Sequence, residues 1–262
     1  MKMLHYTAAG DGSPVILLHG LAASSRDWNT LLPTLAHTGY AAYAPDLPGH
    51  GDSPKPIEPA WYHSDEVFST LDHWLDGLHL DHPITLIGHS LGGHYSLRLS
   101  LKRPQQVRAL ILVDPFYSSK QLYPIARAIL RKPEWGDHII RRIPPWVIQN
   151  MLGWDPTHLG DFTPAIRRQI AIDYLRASPL ILRIPATLPE LTHELPHLKQ
   201  PTLVIWGKQD LTLHPSSFPH LVSLLPKATG YPIPRCGHQP HIGKPTLVNN
   251  LIISFLCEIT SG

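Results

Sequence analysis

Short apolar runs recur along most of this chain, each bounded by Gly, Pro or polar residues. Their length is typical of strands buried on both faces, in which apolar residues follow one another without alternation. The runs predict strands at 15–18, 40–44, 84–87, 107–113, 202–206 and 228–233. The first thirteen residues are rich in turn formers and predict no regular element.

Amphipathic segments lie between these runs. Four apolar residues of the segment 25–37 recur at i, i+3, i+4 and i+7 and so share one helical face. These residues are Trp28, Leu31, Leu32 and Leu35. Comparable patterns predict helices at 64–78, 91–103, 215–225 and 245–259. Strands that alternate with such helices indicate an α/β fold, with a mostly parallel, doubly wound sheet.

The pattern changes between residues 116 and 198, where no convincing strand occurs and prolines interrupt helical stretches. We therefore predict a core domain of residues 1–115 and 199–262, and a helical cap of residues 116–198 over the carboxyl edge of the sheet. Large aromatic residues are frequent in the cap, and most are expected in its own core. They include Trp135, Trp146, Trp154, Phe162 and Tyr174.

Composition excludes several classes of protein. The 262 residues, 43% hydrophobic and 16% charged, suffice for one large core. The net charge of +2 gives no indication of a nucleic acid partner. The chain contains no run of about 18 apolar residues, so the sequence predicts no membrane span. Two cysteines, Cys236 and Cys257, make no disulfide framework, and the first residues lack the apolar stretch of a signal peptide. A cytoplasmic protein is expected.

Residues 193–197 match the zinc-protease pattern His-Glu-x-x-His. That chemistry requires both histidines on one face of a continuous helix. Pro196 lacks a backbone donor and breaks a helix at that place. The sequence therefore predicts a solvated loop here and no metal site.

The segment 88–93 reads Gly-His-Ser-Leu-Gly-Gly and connects a predicted strand to a predicted helix. A sharp turn with Gly-x-Ser-x-Gly in that context is typical of a nucleophile elbow, in which the serine is held in a strained conformation. Glycines are needed because the chain passes too close to itself for a Cβ atom. Ser90 is therefore the predicted nucleophile.

A serine hydroxyl requires a base, and the base requires a carboxylate to fix its tautomer. His238 follows the last predicted strand, and Asp210 follows the strand before it. Such residues gather at the carboxyl ends of parallel strands. We predict a triad of Ser90, His238 and Asp210, with Asp114, at the end of the strand 107–113, as the alternative acid.

Five motifs occur together in one order: His19-Gly20, then segments 46–53, 88–93, 206–210 and 237–240. With them, nearly the whole chain outside the cap resembles the α/β-hydrolase fold superfamily, and in particular serine carboxylesterases with a helical cap. The resemblance implies a cap inserted after the sixth strand of the sheet. It also implies an oxyanion hole formed by the backbone N–H groups of Leu21 and Leu91, with no metal and no organic cofactor.

The remaining polar residues of these motifs have expected structural roles. His50 and Asp52 are predicted to hold the glycine-rich loop 46–53 by local hydrogen bonds. His89 and His241 are predicted to support the site from behind rather than to react.

The resemblance implies a serine hydrolase that acts on small to medium apolar esters. Ser90 argues against dehalogenases and epoxide hydrolases, which carry an aspartate at the elbow. Carbon–carbon bond hydrolases share the triad, but they usually carry glycines at positions 21–23 and a tryptophan at position 239. Here those places hold Leu21-Ala22-Ala23 and Gln239. Lactonase, thioesterase and perhydrolase activities remain open, and a ligand receptor with vestigial activity is the alternative from another class.

Overall fold

A seven-stranded sheet forms the centre of the computed structural model, which describes residues 3–124, 127–128 and 162–261. The strands run in the order β1-β3-β2-β4-β5-β6-β7, and all neighbours are parallel except β1 and β3. The strands are β1 (Tyr6–Ala9), β2 (Ser13–Leu18), β3 (Tyr40–Pro45), β4 (Ile84–His89), β5 (Val107–Val113), β6 (Thr202–Gly207) and β7 (Ala228–Ile233).

The six strands that the apolar runs predict are confirmed, whereas β1 was not predicted. It is an antiparallel edge strand of four residues, in register with β3 from the pair Tyr6 and Pro45 onward. Three of its four residues are exposed. Because an edge strand with little burial needs no apolar run, the sequence carries no pattern that would reveal it.

Helices cover both faces of the sheet, and this confirms the predicted layers. The helices α1 and α7 pack with one face, and α2, α3 and α5 pack with the other. The helices are α1 (Leu31–His37), α2 (Ser64–Asp76), α3 (Leu91–Lys102), α4 (Pro164–Arg176), α5 (Ser217–Leu224), α6 (Pro240–Gly243) and α7 (Pro245–Ser261). None of the helices in the described residues is both long and apolar enough to span a bilayer.

The predicted single helix over 25–37 is wrong. A 3-10 helix over Ser25–Trp28 comes first, and α1 begins only at Leu31. Pro33 explains the break, because a proline has no N–H and fits a helix only in its first turn. The apolar spacing survives the break, since Trp28 and the leucines of α1 still enter the same core cluster.

The chain leaves the sheet after β5 and returns to it at β6. The insertion therefore follows the fifth strand of this chain, whereas the resemblance implies the sixth. In the returning half of the insertion, residues 162–198, the structure has α4 and 3-10 helices at Pro179–Arg183, Pro185–Thr187 and Leu195–His197. The predictions for Trp135, Trp146 and Trp154 lie outside the described residues.

Candidate active site

Ser90 lies at a sharp turn between β4 and α3. Its backbone adopts φ +50° and ψ −111°, a conformation that only glycine adopts without strain. A Cβ atom on Gly88 would lie 2.5 Å from the carbonyl oxygen of Gly92, and one on Gly92 would lie 2.1 Å from that of Leu18. The glycines of the motif are therefore required by close contacts between backbones, as the sequence predicts.

The side chains of Ser90, His238 and Asp210 form one chain of hydrogen bonds. The hydroxyl of Ser90 lies 3.0 Å from Nε2 of His238. Nδ1–H of His238 donates to Oδ2 of Asp210 at 2.7 Å. The carboxylate of Asp210 is fully buried, while the imidazole is 15% exposed. This geometry leaves the lone pair of Nε2 directed at the serine hydroxyl.

Asp210 is held in its ionised form by its surroundings. Burial by itself would raise the pKa of this carboxyl group, but His238 and two backbone amides outweigh burial and lower it. These amides belong to Thr212 and Leu213, which donate to Oδ1 at 2.7 and 2.9 Å. The amides thus hold the carboxylate through Oδ1, while Oδ2 accepts from the imidazole.

Asp114, the alternative acid in the sequence, does not contact the imidazole by a hydrogen bond. Its Oδ1 accepts instead from the backbone N–H of Gly207 at 3.0 Å. One carboxylate oxygen of Asp114 still lies within 4.8 Å of ligand atoms of both Asp210 and His238. The structure therefore brings both candidate acids together, but only Asp210 bonds to the histidine.

Leu21 and Leu91, the expected oxyanion donors, both line the cavity at Ser90. Leu91 is the first residue of α3, so its N–H has no acceptor within the helix, and the helix dipole favours negative charge there. The peptide between Gly20 and Leu21 is fixed by His19, whose Nδ1–H donates to the carbonyl of Gly20 at 2.7 Å. His19 is in turn fixed by the N–H of Leu47, which donates to its Nε2 at 2.9 Å.

A cavity of about 380 Å³ opens in front of the serine. Its wall is mainly apolar, and the described residues that line it include no Asp, Glu, Lys or Arg. The apolar members are Leu21, Ala22, Leu91, Phe116, Leu122, Phe162, Ile170, Leu182, Pro185, Leu188 and Leu213. The polar members are His89, Ser90, Tyr174, Thr212, His238 and Gln239.

The family follows from a comparison with known proteins. A model described as the alpha/beta hydrolase family matches residues 15–251, which is most of the chain. This chain belongs to that family. The match agrees with the predicted resemblance, and the strands β3 to β7, the elbow and all five motifs lie within the matched residues.

Relatives of the hydrolase include enzymes of different chemistry. This chain is 27% identical over 257 residues to the 2-hydroxy-6-oxo-6-(2'-aminophenyl)hexa-2,4-dienoic acid hydrolase of Metapseudomonas resinovorans. The aligned region covers 96% of this chain and 86% of that protein. The chain is 26% identical over 274 residues to the pimeloyl-(acyl-carrier protein) methyl ester esterase of Nitrosomonas europaea, covering 94% and 96%.

A solved structure agrees with the overall fold. The thermophilic esterase from Thermogutta terrifontis superposes with a TM-score of 0.83 at 25% identity, and the match covers 98% of this chain and 93% of that one. The fold and the hydrolase family are therefore established for nearly the whole chain.

Asp46 is a buried residue of the glycine-rich loop whose role the sequence did not reveal. Its carboxylate accepts from the N–H groups of Ser25 at 2.6 Å and Asp52 at 2.8 Å. Burial would raise its pKa, but these amide donors lower it. His50 does hold the loop, through Pro48. Asp52 also holds the loop, through its backbone N–H, while its side chain pairs with arginines outside the loop.

His89 lies between the rings of His238 and His241 and also lines the cavity. Nε2–H of His89 donates to the backbone carbonyl of His238 at 2.7 Å, and the ring centroids of His89 and His241 are 4.5 Å apart. His241 faces Asp27, with Nε2 and Oδ2 separated by 3.8 Å. Residues of these types can bind a divalent cation, but the ring of His241 packs against those of Trp28 and His89. We assign the cluster a supporting role.

The first residues of the insertion are joined to the loop that carries the acid. Leu122 and Leu213 form an antiparallel bridge. The hydroxyl of Tyr123 donates to the backbone carbonyl of Asp210 at 3.2 Å. The position of Asp210 therefore depends on the segment that leaves β5.

The His-Glu-x-x-His segment is not a continuous helix. Residues 192–194 form a turn that runs into the 3-10 helix Leu195–His197, and both His193 and His197 are exposed. The prediction that no continuous helix joins the two histidines is confirmed, but Pro196 lies inside a short 3-10 helix and not in a loop.

Proposed function

We propose that this hydrolase cleaves carboxylic esters through an acyl-enzyme on Ser90. The observation that carries the proposal is the hydrogen-bond chain from Ser90 through His238 to Asp210, with steps of 3.0 and 2.7 Å. A hydroxyl, an imidazole and a buried carboxylate in this arrangement supply a nucleophile, a base and the group that stabilises the protonated base.

In the proposed reaction, Oγ of Ser90 attacks the ester carbonyl carbon while Nε2 of His238 takes the hydroxyl proton. The N–H groups of Leu21 and Leu91 bind the oxyanion, and each such donor lowers the barrier by about 2.7–4 kcal/mol. When the tetrahedral intermediate collapses, the carbon–oxygen bond of the alcohol breaks and His238 protonates the alcohol. Water then attacks the acyl-enzyme with His238 as base, which releases the acid and restores Ser90.

The cavity favours small to medium uncharged esters. Its volume of about 380 Å³ suits a modest acyl group, and its wall is mostly apolar. An anionic substrate would lose its hydration without meeting a cation among the described lining residues. Two of the relatives named above are esterases, which supports the same substrate class.

Carbon–carbon bond hydrolysis is the second candidate function. A 27% identical relative, named as a dienoic acid hydrolase, favours it. Gln239 stands beside the cavity at the place where that class usually has a tryptophan. The substrate of that relative is an acid by its name, and the described part of the cavity offers it no arginine or lysine. We therefore rank ester hydrolysis first.

The decisive experiment compares Ser90→Ala with the wild type on short p-nitrophenyl esters. We expect kcat to fall by about 10⁴–10⁶-fold, because the nucleophile is lost. The matched control is Ser223→Ala, which removes an exposed hydroxyl on α5 outside the cavity. Ester hydrolysis that survives in Ser90→Ala would refute the proposal. A parallel panel of a meta-cleavage dienoic acid, lactones, acyl-thioesters, and hydrogen peroxide with acetate identifies the preferred reaction.

A further inference from the structure

Asp114 is buried at the carboxyl end of β5, beside the proposed acid. It is completely inaccessible to solvent and has a left-handed backbone, with φ +41°. Its N–H donates to the carbonyl of Ile205 at 2.8 Å, and its Oδ1 accepts from the N–H of Gly207 at 3.0 Å. The carboxyl group is therefore fixed between β5 and β6.

The second oxygen of Asp114 has no donor. No described residue donates to Oδ2, although it is buried. Asp210 lies beside it, and ligand atoms of Asp114, Asp210 and His238 fall within 4.8 Å of one another. Among the described residues, Asp210 and His238 are the titratable groups that share this space. An ionised Asp114 would thus be buried with an unsatisfied oxygen next to a second negative charge, which is unfavourable on both counts.

The two carboxyl groups differ in what surrounds them. Burial raises the pKa of Asp114 well above its usual range, and the charge of Asp210 raises it further. One amide, that of Gly207, opposes the change. Asp210 accepts two amide donors and the His238 N–H, which together lower its pKa. Neighbouring acids with opposite shifts share one proton rather than ionise together.

We propose that Asp114 is a neutral carboxylic acid that donates its proton to Asp210 in a hydrogen bond. The inference rests on the proposed role of Asp210 as the acid behind His238. Asp114 is then a positioning residue: it supplies Asp210 with a further donor, holds the carboxylate toward the imidazole, and keeps one negative charge between the two acids. The same placement allows Asp114 to ionise and face His238 when Asp210 is replaced.

The protonation state can be measured without any substrate. Infrared difference spectra between the wild type and Asp114→Asn, with isotope-labelled aspartate, should contain the C=O band of one protonated carboxyl group at pH 7. The matched control, Asp81→Asn, alters an exposed aspartate and should show the bands of an ionised carboxylate. A carboxylate band in place of the C=O band for Asp114 would overturn the proposal.

Kinetics provide the second test. Asp114→Asn keeps a neutral donor of the same size, whereas Asp114→Leu has none, so we expect kcat/KM to fall at least about tenfold further in Asp114→Leu and the acid limb of the pH profile to stay unchanged in Asp114→Asn. If Asp114 carried a charge, its loss would destabilise the imidazolium of His238 and move that limb to lower pH by about one unit. Such a shift would also overturn the proposal.

The replacement of Asp210 tests the reserve role of Asp114. Asp210→Asn should retain at least about tenfold more activity than the double variant Asp114→Asn/Asp210→Asn, because only the single variant keeps an ionisable acid near His238. Equal activities would contradict the reserve role. Failure of the proposed ester hydrolysis is recognised separately, by activity that persists in Ser90→Ala, whereas the infrared result does not depend on it.

Discussion

At the scale of single residues, the backbone of Ser90 is strained because of the turn between β4 and α3, and a serine side chain would not itself cause this strain. The angles φ +50° and ψ −111° correspond to the first central position of a type II′ turn, where glycine is favoured. Residues other than glycine in such regions cost of the order of 1–3 kcal/mol. The serine is present at that cost because the turn holds its hydroxyl at the end of β4, next to the base.

The first prediction compares two variants that both lack the hydroxyl. Ser90→Gly should be more stable than Ser90→Ala by about 1 kcal/mol, because glycine relieves the strain but loses more entropy on folding. Urea unfolding of the two inactive proteins measures the difference directly. A glycine variant that is no more stable than the alanine variant would mean that the turn is not strained.

The residues that the sequence predicts best are those whose chemistry depends on chain order. Ser90, Asp210 and His238 each follow a strand, and parallel strands bring their carboxyl ends to one edge. The sequence could not reveal the anchor role of Asp46 or the missing donor at Asp114. Both depend on which backbone amides face a buried carboxylate, and these amides lie far apart along the chain.

At the scale of elements, charged residues join α4, in the insertion between β5 and β6, to the rest of the structure. Nη1 of Arg26 donates to Asp173 on α4 at 2.8 Å, and the carboxylate of Asp173 is almost fully buried. Arg26 also approaches Asp52, which pairs with Arg176 at the end of α4. Because Ile170 and Tyr174 on α4 line the cavity, this network connects the position of α4 to the shape of the cavity.

The second prediction concerns this network. Arg26→Gln leaves the buried carboxylate of Asp173 without its cation, at a cost of about 1.5–3 kcal/mol. We expect amides of α4 to exchange hydrogen about tenfold to hundredfold faster, and KM to rise more than kcat falls. Arg98→Gln is the matched control, since Arg98 pairs with the exposed Asp65 at 2.7 Å and lies outside the cavity lining. Equal exchange in both variants would contradict the assigned role.

Elements that carry a strong apolar pattern were predicted well, and elements without one were not. The strands β4, β5 and β6 are almost completely buried, so their runs are unbroken. The apolar pattern over 25–37 correctly predicted which residues are buried. It did not predict the break between the 3-10 helix and α1, because that break depends on where Pro33 lies relative to the start of α1. In each case, burial determined how much the sequence revealed.

At the scale of the whole molecule, several buried histidines make folding depend on pH. Burial lowers the pKa of His50 and of His94 to about 3. Burial and neighbouring histidines lower that of His89 well below its usual value. The unfolded chain binds these three protons below about pH 6.5, and the folded chain does not. The free energy of unfolding therefore decreases as the pH falls from about 6.5 toward 3.

The third prediction gives the size of this effect. Each histidine contributes about 1.4 kcal/mol per pH unit. Asp114 opposes them by about the same amount, because near pH 5 it is neutral in the folded protein and ionised in the unfolded chain. The slope near pH 5 should therefore approach about 3 kcal/mol per unit. His94→Gln should reduce the slope by about 1.4 kcal/mol per unit, whatever its effect on stability at pH 7. Urea unfolding at a series of pH values measures the slope, with the exposed His220→Gln as control. An unchanged slope in His94→Gln would show that His94 is protonated in the folded protein.

The bridge between Leu122 and Leu213, with the hydroxyl of Tyr123 on the carbonyl of Asp210, has a consequence for recombination between relatives. A chimera that replaces the whole insertion, residues 116–198, would separate the loop that carries Asp210 from Leu122 and Tyr123, which contact that loop. A crossover placed after Tyr123 keeps those residues with their own acid loop. The rest of the insertion can then be exchanged while the contacts that hold Asp210 are retained.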